Sequence, residues 1–148
     1  MRANLRDLAE AAAHDPAQAI WDAVGDLGDY EPFHNRLLCA TYVPPNKVIT
    51  RDDGVKVEIH RADRSLMEER FQGKAALVLK MGPQAFREDA TTDFGGIVVK
   101  PGEWVIFQHS NAYEVFLRDR RKSNEGISCW LVQDVFIEGR VSDPSLIY

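Results

Sequence analysis

Few side chains in this 148-residue sequence carry reactive chemistry, and none falls at the spacing that chemistry requires. Covalent catalysis needs a nucleophile with a base in reach. The two thiols, Cys39 and Cys129, lie in apolar runs, Cys129 within Ile127-Ser128-Cys129-Trp130-Leu131, where a buried structural thiol is expected. His14, His34, His60 and His109 are dispersed, and no pair has a metal-ligand spacing. His109, beside Ser110 at a strand-to-turn boundary, reads as a solvated polar residue. Asp52-Asp53-Gly54 is an acidic turn without the spaced oxygens of a calcium loop. Arg118, Arg120, Arg121 and Lys122 cluster at a hairpin tip, but Asp119 and Glu125 dilute their field, so a solvated tip is expected rather than a phosphate site. Gly73, Gly82, Gly95-Gly96 and Gly102 make no phosphate-cradling motif. The expectation is a protein without catalytic residues, cofactor or metal, acting by contact.

The elements that position these residues follow from charge and periodicity. Residues 1–35 hold Arg2 and Arg6 against seven acids, while the basic and acidic side chains of 36–148 balance, for a net charge of −5. That balance argues against a dedicated nucleic-acid binder. No apolar run approaches the roughly 18–20 residues of a membrane span, and Met1 to Glu10 does not resemble a signal peptide. The acidic part is also the helical part. Leu5 to Ala13 is rich in helix formers, and Asp15-Pro16-Ala17-Gln18 supplies an N-cap acid, a first-turn proline and a Gln three beyond the cap. Ile20, Trp21, Val24 and Leu27 then share one face, and Gly25 and Gly28 close the segment. Two short helices are predicted within residues 4–27.

From Arg36 the period becomes that of strands. Arg36–Tyr42, Lys74–Met81, Ile97–Lys100, Trp104–Gln108, Ala112–Leu117, Ile127–Val132 and Val135–Glu138 are short apolar runs bounded by turn residues. Pro101-Gly102 makes a tight turn before Trp104, and Ser123-Asn124-Glu125-Gly126 caps a hairpin. Seven closely spaced strands imply a small antiparallel barrel or sandwich. Val43 to Gly73 is too long to be an ordinary connection. Within it Val55, Val57 and Ile59 alternate with Lys56, Glu58 and His60, and Ser65-Leu66-Met67-Glu68 can cap one helical turn. A β-ribbon arm with a short helical return is predicted.

An ordered set of segments resembles the GroES-type co-chaperonin fold family, in its diverged bacteriophage-encoded form. Asn35-Arg36-Leu37-Leu38-Cys39-Ala40 resembles that family's first strand, and Gln72 to Pro83 its "Gly, charged, strand, Val-Gly" segment. Val99-Lys100-Pro101-Gly102-Glu103-Trp104-Val105-Ile106-Phe107 is similar to its "VK-x-GD-x-VIF" strand, and Cys129 to Ile137 to its closing segment. The resemblance implies a mainly β fold: a small GroES-like antiparallel β-barrel over 35–141 with a long arm at 43–70. An acidic N-terminal helical extension (1–34) and a tail (142–148) lie outside it. It also implies ring assembly, with terminal strands pairing between neighbours, and a loop that docks an apolar tripeptide after a glycine pair.

The arm departs from that pattern, since no Gly-Gly precedes Val48-Ile49 and Lys56 interrupts Val55 and Val57. Gly95-Gly96-Ile97-Val98-Val99 is the lookalike string, but it lies directly before the Pro101-Gly102 turn. It reads as a barrel strand, or else as a displaced docking tripeptide. Two roles follow. The first is an oligomer-forming virion structural protein, such as a head decoration, cement or neck component, in the phage particle. The second is a co-chaperonin capping a GroEL-type chaperonin in the host cytoplasm. In either, Val48, Ile49, Val55, Val57, Ile59, Leu66 and Met67 are the expected arm contacts, with Ile20 and Trp21 as helix anchors and with neither nucleic acid nor membrane as partner.

Overall fold

The computed structural model describes residues 15–42, 75–121 and 126–147, together with the backbone of 47–50 and 56–59. Helix α1 (Pro16–Val24) starts as the sequence dictates. Asp15 accepts a bond from the Gln18 amide (3.0 Å), Pro16 occupies the first turn, and Gln18 Nε2 donates to Asp22 Oδ1 (2.9 Å). It ends at Gly25, whose φ of 67° suits glycine. A Cβ there would also lie only 2.5 Å from Arg120 Cδ, so a larger residue would have to displace the Arg120 side chain. Arg120 N donates to Ala23 O (2.9 Å) across the same junction. The helix expected N-terminal to this one lies outside the described residues.

The body of the chain is one antiparallel six-stranded sheet. Its strands are β1 (Arg36–Thr41), β4 (Ala75–Met81), β5 (Trp104–Ile106), β6 (Ala112–Arg118), β7 (Gly126–Gln133) and β8 (Gly139–Val141), in the order β6-β7-β1-β4-β5-β8. Strands β2 (Lys47–Thr50) and β3 (Lys56–Ile59) form a separate two-stranded ribbon, as predicted for the arm. The fold is thus mainly β with a single described helix. The sheet is not closed: β6 ends it on one side and β8 on the other. Among the described residues no helix is long and apolar enough to cross a membrane.

Central β1 and β4 are buried on both faces, which explains their nearly unbroken apolar sequences RLLCAT and AALVLKM. Alternation sorts them into two layers. Leu37, Cys39, Ala76, Val78, Val105, Trp130 and Val132 form the first, with Phe107 and the loop residues Phe86 and Val99 packed on them. Leu38, Ala40, Leu77, Leu79, Trp104 and Cys129 form the second, which α1 covers through Val24, Ile20 and Trp21. A bulge between Leu38 and Cys39 brings Lys80 opposite Leu38, on the helix side. There Lys80 Nζ donates to Leu27 O (2.7 Å) and Tyr30 O (2.5 Å), tying the chain after α1 to the sheet.

Three expectations are corrected. Ile97–Lys100 is not a strand: only Val99 turns inward, and Val98 O accepts from Arg140 Nη1 (3.1 Å) rather than from a ladder partner. Val135–Glu138 is not a strand either. The Asp134 amide donates to Asn35 O and the chain folds into a 3₁₀ turn over Asp134–Phe136, so that pairing resumes at Gly139, a strand too short and polar to read from sequence. His109, expected in solvent, is 5% exposed and stacks on Trp130 with centroids 4.2 Å apart.

Candidate interaction surface

Of the reactive groups among the described residues, both thiols and His109 are buried, while His34 is exposed. Cys39 and Cys129 are fully buried; burial pushes the Cys39 thiol far up and that of Cys129 to about 12, so neither is a nucleophile at neutral pH. They lie in opposite layers of the sheet. His109 lies against Phe107 and Trp130, and among the described residues neither ring nitrogen has a hydrogen-bond partner, Ser110 included. Burial pulls its pKa to about 4, with the Glu114 charge pulling weakly the other way. Among the described residues no three His, Cys, Asp or Glu side chains are placed to hold a metal ion. At the hairpin tip Arg121 lies 3.3 Å from Asp119, whose carboxylate is buried rather than solvated as expected.

What the fold does display is an apolar patch. A groove of about 190 Å³ opens on the first-layer side of β8, lined by Phe86, Phe94, Ile97, Val99, Val135 and Ile137 and edged by Asp134, Glu138 and Arg140. Of the lining residues Ile97 is 54% exposed and Val135 51%, and their sequence neighbours Val98 and Phe136 are exposed as well. Singly exposed apolar residues need no explanation, but a contiguous set around a concavity marks a contact site.

The patch is held rigidly. Gly95 and Gly96 have φ of 62° and 79°, values a side chain would resist. Their amides donate to Asp93 Oδ1 (2.7 Å) and Glu88 Oε1 (2.9 Å), and Asp89 Oδ1 accepts from the amides of Thr91 and Thr92 (2.8 Å each). These bonds fix the turn that presents Ile97 and Val98. On the opposite rim, buried Asp134 accepts from Asn35 Nδ2 (2.8 Å) and from the Phe86 amide (2.9 Å). Phe86 has a φ of 59°, an unfavourable value for a bulky residue that this buried bond holds in place, and its ring meets Phe94 edge-on at 5.2 Å. Arg140 spans Val98 O and the Glu103 carboxylate (3.5 Å). Ordered before binding, such a surface loses little entropy on contact.

The residues expected to make contacts are distributed differently. Ribbon register pairs Ile49 with Val57 and Lys47 with Ile59, placing Ile49, Val57 and Ile59 on one face and Val48, opposite Glu58, on the other. Val55, Leu66 and Met67 lie outside the described residues. Ile20 and Trp21, expected to anchor a neighbour, pack against this chain's own second layer. Sequence reasoning missed the groove because Phe86, Phe94 and Val135 come from separate segments that only the fold gathers. Its one visible signal was the string Gly95-Gly96-Ile97-Val98. A scan against protein-family models finds no match for the chain, and a search of curated proteins finds none either.

Proposed function

We propose that this chain is a non-enzymatic, oligomer-forming structural protein that works through protein–protein contacts of its apolar groove and its ribbon arm. The observation that carries this reading is the apolar groove whose lining leaves Ile97 and Val135 half exposed, with Val98 and Phe136 exposed beside them in sequence, in a molecule whose thiols and His109 are buried. Repeated in a symmetric assembly, such modest contacts sum to stable attachment. The ordered sequence resemblance supports the sharper form: a GroES-like body serving as a head decoration, cement or neck component of a phage particle.

A second reading, a co-chaperonin, is favoured by one specific observation. The glycine pair Gly95-Gly96 presents Ile97 and Val98 outward as a short apolar tip, the displaced docking string. Gel filtration of the protein with a GroEL-type chaperonin and ATP separates the two. Recovery in purified particles, with self-assembly and no chaperonin binding, supports the structural role. Saturable, ATP-dependent co-migration lost on Val98→Asp supports the co-chaperonin. A lone monomer that binds neither overturns both.

A further inference from the structure

The other face of the sheet holds a second concavity of a different character. Its volume is about 570 Å³, within the range of small-molecule sites, and its lining includes Arg36, Ser110, Asn111, Tyr113, Leu131 and Gln133. Strand register gathers four of these on one face. Arg36 on β1 lies opposite Gln133 on β7, and Leu131, two residues back along β7, lies opposite Tyr113 on β6. Leu131 packs with the second layer, so this face is turned away from the apolar groove of the first. Ser110 and Asn111 arrive on the 3₁₀ turn His109–Asn111, which leads directly into β6.

The polar groups here are uncommitted. Among the described residues, the side chains of Arg36, Ser110, Asn111, Tyr113 and Gln133 make no hydrogen bond or ion pair. The lining holds one cation, exposed Arg36, and no acid. A guanidinium fork matches a single carboxylate, to which it gives two parallel bonds. The amides of Asn111 and Gln133 and the hydroxyls of Ser110 and Tyr113 each both donate and accept. An ionised carboxylate or phosphoryl group only accepts, so alone it would leave half of that capacity unused. A ligand that also carries hydroxyls uses both halves. Tyr113, 69% exposed, offers a ring with a polar tip, and half-buried Leu131 adds apolar surface, which together suit the C–H face of a sugar ring. The apolar groove has no comparable set, because Asp134 is already bonded to Asn35 and Phe86, and Arg140 to Val98 and Glu103.

We propose that this concavity binds an acidic sugar, with its carboxylate on Arg36, its hydroxyls shared among Ser110, Asn111 and Gln133, and one ring face against Tyr113. The site lies on the opposite face from the contact groove and is independent of the proposed contact function.

Titration of the ¹⁵N-labelled full-length protein with the methyl glycosides of glucuronic, galacturonic and N-acetylneuraminic acid, followed by amide chemical shifts, tests this. At least one should saturably move the Ser110, Asn111 and Tyr113 amides together with the Gln133 side-chain NH₂. The matching neutral glycoside, lacking the carboxylate, and acetate and inorganic phosphate, lacking the sugar, should each bind at least about 10-fold more weakly. Arg36→Gln should weaken the sugar about 10- to 100-fold, the worth of hydrogen bonds to a charged group. Arg36→Lys should recover only part, since an ammonium lacks the fork. Tyr113→Ala should weaken binding and Tyr113→Phe should keep most of it. Thermal melts of these exposed-site variants should match wild type, which separates a lost ligand contact from a lost fold. No saturable shift with any of the three acidic sugars overturns the proposal. Shifts confined to other residues, or undiminished binding by Arg36→Gln, overturn it as well. Phosphate or acetate binding as tightly as the sugar overturns the ligand class. None of these results bears on the apolar groove, so the contact function is judged separately.

Discussion

Replacing His109 by Phe should stabilise this protein, and increasingly so as the pH falls. The imidazole is buried against Phe107 and Trp130, and among the described residues neither nitrogen has a hydrogen-bond partner. Whichever nitrogen carries the proton is thus a desolvated donor without an acceptor, a cost of about 1–3 kcal/mol. Burial also sets the pKa at about 4, against an ordinary 6.5 that the unfolded chain retains. Between those values the unfolded state binds the proton and the folded state does not. The stability is therefore fully present above pH 6.5 and is lost as pH falls towards 4, by about 3 kcal/mol in all. A phenyl ring keeps the stacking and removes the titration. Urea denaturation of wild type and His109→Phe at pH 7.5, 6, 5 and 4 measures both effects. The expected result is a variant at least as stable at pH 7.5, with an advantage that widens by about 3 kcal/mol at pH 4. Parallel pH profiles, or a variant much weaker at every pH, would refute the reasoning, the first by removing the titration and the second by revealing bonds to the imidazole.

Asp134→Ala should cost about 2–3 kcal/mol, since it leaves the buried Phe86 amide unpaired at a strained backbone position; chemical denaturation measures it, and Asp134→Asn should recover part by keeping an acceptor. Lys80→Met should lose about 1–3 kcal/mol through the Leu27 and Tyr30 carbonyls, with amide exchange speeding up in residues 25–31 before it does in β4. Both thiols should react with a disulfide reagent only at the rate of unfolding, and full modification in the native state would contradict their burial.

Sequence and structure agree where local chemistry is decisive. Asp15-Pro16 at the start of α1, Pro101-Gly102 before β5 and the alternation in β3 are read directly, because each depends on a few adjacent residues. The strongest apolar runs became β1, β4 and β7, read as strands because each is short, apolar and bounded by turn residues. Ile97–Lys100 and Val135–Glu138 are just as apolar, yet their side chains line a groove instead of joining a ladder. Composition alone cannot distinguish the two uses, since the outcome hangs on long-range ties such as Asp134 to Asn35 and Phe86. His109 was misread for a related reason: its place beside a turn says solvent, and only Trp130, brought alongside by β7, buries it.

Amide hydrogen exchange, compared at concentrations above and below assembly, tests the contact claim most directly. The account predicts that assembly slows exchange in peptides spanning residues 94–98 and 134–141, and leaves the segment carrying α1 unchanged. Equal exchange at those peptides in both conditions, or protection falling on α1 instead, would contradict it.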